Sequence, residues 1–199
     1  MPPRSVSDED VLDKLTDLFR DRGFDGATLG EIAAATGLQK SSLYHRFPGG
    51  KHEMAAEVAR HLLDRFGTTV LAPLAGDGPA RERVREVGVR LSEFYRGGTK
   101  NCLLESLSLG KPGGESERLL RTATEAWIEG FADIARASGA DGAEAIARSQ
   151  DAVAAIEGGL VLARLTGDAR AFTRAIERLP DALGTPHTRS TPARAPRRT

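Results

Sequence analysis

A polar stretch near the N-terminus carries the side chains best suited to binding a polyanion. Residues 38–52 contain cationic, aromatic and hydroxyl groups and no Asp or Glu. Amide and cationic groups can bind base edges in the major groove of DNA, and hydroxyl, imidazole and cationic groups can bind phosphates. Lys51 and the free N–H groups at the start of the next helix can add phosphate contacts. The outward-facing candidates before it are Gln39, Lys40, Ser41, Ser42, Tyr44, His45 and Arg46.

These side chains lie in the second of two predicted short helices. Thr28 and Glu31 have the spacing of a capping box, which predicts a first helix that ends at about Ala35. Gly37 predicts a turn, and the second helix should follow from about 39 to 47. Two short helices joined by a tight glycine turn are typical of a helix-turn-helix. The alternative is an ordinary helical hairpin with a solvated polar face.

The remainder of the chain also has helical periodicity. Val11, Leu15, Leu18 and Phe19 form the apolar stripe of a first helix, for which Gly23 is the predicted end. No stretch has the alternation of a strand. Further helices are predicted at about 51–71, 80–95, 102–109, 116–138, 142–165 and 169–183.

Composition limits the class of protein. The formal net charge is zero, which argues against indiscriminate coating of nucleic acid. No apolar run reaches the length of a membrane span, and the N-terminus lacks the apolar core of a signal peptide. With Cys102 as its single cysteine, the chain fits a reducing cytoplasm. The Pro- and Arg-rich stretch at 185–199 predicts a disordered basic tail, either dispensable or weakly attracted to phosphate.

Catalytic and metal motifs fail on inspection. A phosphate-binding loop ending in Gly50-Lys51 would need Gly at position 45 and Ser or Thr at position 52, and both are His. A zinc-protease helix beginning at His52 would need a second His where Ala56 stands. We therefore predict no enzyme activity, no cofactor and no metal, and interpret His52 and His61 as surface or phosphate-facing residues.

The segment TLGEIAAATGLQKSSLYHRFPGGK, residues 28–51, resembles the DNA-binding segment of the TetR family of transcriptional regulators. Its FPGGK ending and the single cysteine before the short sixth helix resemble the branch of lincomycin-resistance-type and flavonoid-responsive repressors. The resemblance implies an all-α fold with an N-terminal three-helix DNA-binding head and a six-helix C-terminal ligand-binding and dimerisation domain. It implies that Thr28, Tyr44, His45 and Lys51 hold phosphates. It places Gln39, Lys40, Ser41 and Ser42 near base edges.

The expected domains are therefore the head at 1–50, the helical body at 51–184 and the tail at 185–199. The family implies a homodimer through the helices at 142–165 and 169–183. There, small and apolar residues form a band that either joins two subunits or is buried within one. Its members are Ala152, Ala155, Ile156, Gly159, Leu160, Ala163, Phe172, Ile176 and Leu179.

The family also implies a small-molecule cavity in the body. Glu157 is the one charged residue between Ala152 and Ala163, so it either offers the ligand a polar group or pairs across a dimer. Cys102 is either a redox sensor or a small buried apolar residue. Aromatic residues in this set are either cavity walls or plain core. The candidate ligand residues are Phe66, Phe94, Cys102, Trp127, Phe131, Gln150 and Glu157.

The sequence thus predicts a dimeric DNA-binding transcriptional regulator, a repressor released from a palindromic operator by a small apolar or aromatic effector. The alternative is a helical binding or adaptor protein whose helix-turn-helix is only structural.

Overall fold

A computed structural model of the protein describes residues 7–184, and the predicted tail at 185–199 lies outside this range. Within it, the chain is helical and contains no β-strand, which confirms the predicted all-α fold. No helix in this range has the length and apolarity needed to cross a membrane. The α-helices are α1 (Asp8–Gly26), α2 (Leu29–Thr36), α3 (Lys40–Arg46), α4 (Lys51–Arg65), α5 (Ala80–Phe94), α6 (Leu103–Ser108), α7 (Gly114–Ala137), α8 (Gly142–Thr166) and α9 (Arg170–Gly184).

Helix α1 begins with a side-chain cap. The Ser7 hydroxyl accepts a hydrogen bond from the Asp10 N–H (3.1 Å), and three acidic residues occupy the first turn, where the helix dipole favours negative charge. The predicted end at Gly23 appears as a kink, because the backbone there leaves helical geometry before a last short turn reaches Gly26. Val11, Leu15 and Phe19 are fully buried on the predicted stripe.

Helix α4 is shorter than the predicted helix at 51–71. It ends at Arg65 and continues as a π-helical segment over Phe66–Leu71 and a 3₁₀ turn over Ala72–Ala75. The hydroxyls of Thr68 and Thr69 donate to the carbonyls of Asp64 and Arg65, which competes with regular helix geometry. Pro73 lacks an N–H group and cannot extend an α-helix.

Helices α8 and α9 pack closely within one subunit. A Cβ added at Gly159 would lie 2.6 Å from the Phe172 Cα, so only glycine permits this approach of the two backbones. The predicted interface band is therefore mostly internal. Its buried members are Ala152, Ile156, Gly159, Leu160, Ala163, Phe172 and Leu179, while Ile176 is partly buried and Ala155 is exposed.

The head is joined to the body through α1 and α6. The Arg20 carbonyl accepts a hydrogen bond from the buried Ser106 hydroxyl (3.0 Å) and another from Asn101 Nδ2 (3.4 Å). Gly110 lies close to Phe24. A Cβ added at Gly110 would be 2.8 Å from the Phe24 Cβ. One continuous apolar core runs from head to body.

Candidate nucleic-acid interface and body cavity

The start of α2 is held by the predicted capping box. The Glu31 N–H donates to Thr28 Oγ1 (3.2 Å), and the Thr28 N–H donates to Glu31 Oε2 (2.9 Å). Hydrogen bonds from the Thr28 backbone and then from its hydroxyl lower the pKa of the Glu31 carboxyl. The Thr28 hydroxyl also donates to Glu31 Oε2 (2.9 Å), so its proton is already used. The Thr28 side chain is exposed, and its first role is to hold the start of α2.

The turn between α2 and α3 uses Gly37 in the left-handed conformation, with φ of 72°. Its N–H donates to the Ala33 carbonyl (3.0 Å), which closes α2. The buried Thr36 hydroxyl donates to the Ile32 carbonyl (2.7 Å). These bonds fix the direction in which the chain enters α3.

Helix α3 is anchored by apolar residues and exposes its polar side chains. Leu43 and Phe47 are buried in the head core. Tyr44 and His45 are exposed, and the Tyr44 ring passes over Gly50 at the start of α4. The other exposed candidates are Gln39, Lys40, Ser41 and Ser42.

Two basic residues of the motif are held by intramolecular contacts. Arg46 forms an ion pair with Asp8 at the start of α1, although its sequence position had suggested an outward direction. The Lys51 ammonium lies 4.5 Å from the centre of the Phe24 ring and donates to the Asp25 carbonyl (3.5 Å). Lys51 is therefore half-buried and placed by the end of α1.

The two acids that flank the motif are both used in helix starts. Glu31 belongs to the capping box, and Glu53 Oε2 accepts from the Gly49 N–H (2.6 Å). Between them the sequence has no carboxylate side chain. The exposed surface of α3 is thus polar, with a local positive charge from Lys40.

A cavity of about 550 Å³ lies in the body among α6, α7 and α8. Trp127 and Glu157, both predicted as ligand residues, are part of its lining. Trp127 Nε1 and Glu157 Oε1 are buried and have no hydrogen-bond partner among the described residues, although the Glu157 carboxyl also interacts with the Cys102 thiol. Buried polar atoms in native proteins are usually paired, so two unpaired atoms on residues of one cavity wall are unusual.

The other predicted ligand residues lie elsewhere. Phe66 and Phe131 are buried and contact Trp127 edge to face, with ring centres 5.0 and 6.1 Å apart, so they support the wall from behind. Phe94 contacts Phe66 and borders a different cavity. Gln150 is exposed on α8, one turn before the part of that helix that lines the cavity.

Cys102 is buried behind the same wall. Its sulfur lies 3.5 Å from the Tyr95 hydroxyl. Burial, followed by the negative charge of Glu157, raises the pKa of the Cys102 thiol to about 12. Because the thiolate is the reactive form, this environment favours the structural interpretation over the redox one.

Most residues of the cavity wall were not predicted from the sequence. Residues 117, 120, 121, 124 and 127 recur every three or four positions along α7, and this spacing was the available signal. Glu105 forms a bidentate ion pair with Arg164 (2.8 and 2.9 Å), which joins α6 to α8 beside the cavity. The additional lining residues are Leu104, Glu105, Ser108, Gly110, Glu117, Leu120, Arg121, Thr124 and Val153.

Replacing Glu157 by Gln should raise the free energy of unfolding above pH 7 by about 1 to 2 kcal/mol. Burial raises the pKa of the Glu157 carboxyl from 4.5 to about 6, so the folded state binds more protons than the unfolded state between these values. Wild-type stability therefore falls as pH rises through this window, and the Gln variant lacks that fall. Denaturant unfolding across the window measures the difference. Glu125→Gln, an exposed change on α7, is the control, and equal stability of wild type and Glu157→Gln at about pH 8 would contradict the prediction.

The head and the cavity wall meet in the loop before α7. His52 Nδ1 lies 3.0 Å from the Pro112 carbonyl oxygen, and its ring packs on Phe24 with centres 5.0 Å apart. Phe24 in turn supports Lys51. Gly110, which borders the cavity, touches Phe24. His52 is thus a contact between head and body.

Comparison with known proteins agrees with this architecture. Residues 11–58 match the family model described as bacterial regulatory proteins, tetR family. The HTH-type transcriptional regulator LmrA of Bacillus subtilis is 26% identical over 186 residues, which cover 89% of this chain and 96% of LmrA. A TetR transcriptional regulator from Legionella pneumophila superposes with a TM-score of 0.80 at 20% identity and covers 91% of this chain and 99% of its own.

A further solved relative carries DNA. A cysteine mutant of the TetR family transcriptional regulator CifR, solved with 26-base-pair operator DNA, is 25% identical with a TM-score of 0.70, covering 90% of this chain and 98% of its own. The matched helix-turn-helix, the full-length relative and the shared fold all agree with the family predicted from residues 28–51. Residues 11–58 therefore carry the DNA-binding segment of the tetR family of bacterial regulatory proteins, and the whole chain is similar in sequence and fold to TetR-family transcriptional regulators.

Proposed function

We propose that the protein is a homodimeric repressor that binds a palindromic operator and leaves it when a small apolar or aromatic molecule occupies the body cavity. The observation that carries the DNA-binding part is the exposed polar face of α3, which has no carboxylate between Glu31 and Glu53. Both of these acids are already used in helix starts. The CifR complex with operator DNA supports the same use of the motif.

We assign roles on this face by side-chain chemistry. Gln39, Lys40, Ser41 and Ser42 stand at the N-terminal end of α3, where a helix lying in the major groove meets base edges. Tyr44, His45 and Lys51 would hold phosphates, together with Thr28 at the start of α2. Residues 1–50 then form the DNA-binding domain and residues 51–184 the ligand-binding and dimerisation domain.

The body cavity is the proposed effector site. Its walls are largely apolar, and the two unpaired atoms set the required polar contacts. Trp127 Nε1–H needs an acceptor, and the Glu157 carboxylate needs a donor or a positive charge. An aromatic molecule of drug size that carries one acceptor and one basic or hydroxyl group meets both needs.

The proposed signal passes through the loop at 109–113. A ligand beside Gly110 would act on Phe24, which supports Lys51, and on the contact between His52 and Pro112. The ligand can weaken DNA binding only by its higher affinity for a conformation with the wrong spacing of the two heads. The two α3 helices of a dimer must reach successive major grooves about 34–36 Å apart.

An exposed face of α8, which shares only Ala155 with the predicted band, is available to a second subunit. Ala155 and Gly158 are exposed on it, followed by two exposed leucines, Leu162 and Leu165. Small residues allow helices to approach closely, and burial of exposed leucines against a partner is favourable. We propose this face, with the outer side of α9, as the dimer interface.

Leu162→Arg should convert the dimer into a monomer, because it places a charge on the proposed interface. Leu162 is 49% exposed in the single subunit, so the subunit itself should remain folded. Light scattering after gel filtration measures the mass. Val89→Arg is the matched control, since Val89 is 53% exposed and lies on α5, not on α8 or α9. A wild-type monomer, or an intact Leu162→Arg dimer, would contradict the proposed interface.

The experiment that tests the function is selection of bound duplexes from a random DNA pool, followed by affinity measurements on the winner at two salt concentrations. An enriched palindrome with steep salt dependence is the expected result. It provides the probe for a ligand screen by loss of binding, with Glu157→Gln as the cavity variant. Weak binding without an enriched sequence would contradict the proposal and favour the adaptor with a structural helix-turn-helix.

A further inference from the structure

A second cavity lies between the head and the body. It has a volume of about 300 Å³ and is walled by α1, α4 and the segment that begins at the end of α5. It shares no lining residue with the body cavity. Its walls are rich in charged side chains, whereas the body cavity is mainly apolar.

Basic groups outnumber carboxylates in these walls. The carboxylates are Asp13, Asp17 and Glu93, and the basic side chains are Arg20, His61, Arg65, Arg96 and Lys100. Asp17 Oδ1 lies 2.7 Å from Lys100 Nζ and 3.5 Å from Arg20 Nη1. Asp13 Oδ1 lies 2.6 Å from Arg65 Nη1 and 3.2 Å from His61 Nε2. Each of these two carboxylates is therefore shared by two basic side chains, and its charge is already neutralised.

Arg20 is the buried base of the cavity. The residue is only 4% exposed, and its Nε has no hydrogen-bond partner among the described residues. Its guanidinium carbon lies 5.4 Å from the centre of the Phe94 ring. Burial lowers the pKa of Arg20, but a guanidinium keeps its proton in proteins. Asp17 pairs with the Nη1 end of this guanidinium, but a buried Nε donor without an acceptor is costly, and an entering anion would supply that acceptor.

Arg96 provides a second available cation. It lines the same cavity, is exposed, and forms no ion pair within residues 7–184. A guanidinium offers five donors in a planar fork that suits phosphate and carboxylate oxygens. We propose that this cavity binds a small dianion, an inorganic phosphate or a short dicarboxylate, through the unpaired donor of Arg20 and the free guanidinium of Arg96.

Such a ligand would connect the head to the body. Arg20 belongs to α1 of the head, whereas Arg96 and Lys100 follow α5 of the body. Bound anion would stabilise the folded chain, because the unfolded chain does not assemble these groups. The site shares no lining residue with the proposed effector cavity, and it can be tested on the free protein.

The test is isothermal titration calorimetry of the full-length protein with inorganic phosphate and, separately, with malonate, at ionic strength held constant with sodium chloride. We expect saturable binding of at least one of the two, with one site per chain. Arg96→Ala should weaken it by about tenfold or more, the loss expected for a charge-assisted hydrogen bond. Arg85→Ala, an exposed arginine on α5 that does not line the cavity, should leave it unchanged.

Each outcome decides the question. Binding of phosphate alone would assign an oxyanion site, and binding of malonate alone a dicarboxylate site. Arg20→Lys keeps the charge but loses the fork, so it should also weaken binding if the chain still unfolds cooperatively. No saturable heat with either probe would overturn the proposal. Equal weakening by Arg85→Ala and Arg96→Ala would also overturn it, because it would reveal general attraction to the surface.

Discussion

Replacing Gly159 by Ala should lower the free energy of unfolding by about 2 to 3 kcal/mol. The new Cβ would lie 2.6 Å from the Phe172 Cα and 2.8 Å from its backbone nitrogen. Both are backbone atoms of α9, so no side-chain rotation can relieve the clash. Helix α9 must shift away from α8, which disturbs the packing of Phe172 on Tyr95, whose ring centres are 6.0 Å apart.

Denaturant unfolding of the purified variants measures this effect. Gly142→Ala, at the first position of the same helix, is the control, because nothing lies within 4 Å of a Cβ added there. It should be neutral or slightly stabilising, since alanine favours the helix over glycine. A Gly159→Ala protein as stable as the Gly142→Ala protein would show that the two helices do not approach each other as closely as described.

The double substitution Lys40→Ala and Tyr44→Ala should lower affinity for the selected operator by about a hundredfold. Both side chains are exposed on α3, so the loss would come from DNA contacts and not from unfolding. Lys40 contributes a positive charge, so its removal should also reduce the salt slope of binding. Gel-shift titrations at several salt concentrations measure both quantities.

Arg85→Ala is the control for this experiment, because Arg85 is exposed on α5, outside the helix-turn-helix and outside the loop at 109–113. It should retain wild-type affinity, and the double variant should retain wild-type thermal unfolding. Unchanged operator binding by the double variant would exclude α3 as the reading helix. An equal loss in the Arg85 variant would indicate general attraction to phosphate.

Where neighbouring residues determine the geometry, sequence reasoning succeeded. The box between Thr28 and Glu31 depends on three residues of spacing, and the turn at Gly37 depends on one left-handed residue. The buried positions of Leu43 and Phe47 follow from their place in the same short motif. The predicted end of the helix that begins at Lys51 was wrong. In the sequence, the competing hydrogen bonds of the Thr68 and Thr69 hydroxyls are a weaker signal than the apolar periodicity.

Contacts between distant segments could not be predicted from local sequence patterns. Arg46 has a side chain suited to a DNA contact, yet it pairs with Asp8 of the first helix. The charged cavity around Arg20 joins three segments that no local spacing relates. Long-range pairs of this kind depend on the relative placement of helices, and periodicity does not encode that placement.

Helix α8 separates the two kinds of information most clearly. Its small and apolar residues by themselves determined a helix that packs closely against other helices, because side chains recur on its faces every three or four residues. Only the tertiary structure decided which face is internal: Gly159 admits the α9 backbone, while Leu162 stays exposed. The reason is physical, since a helix rich in apolar residues on several sides can be rotated with little change in its own energy. The close contact with α9 then determines which face remains for a partner.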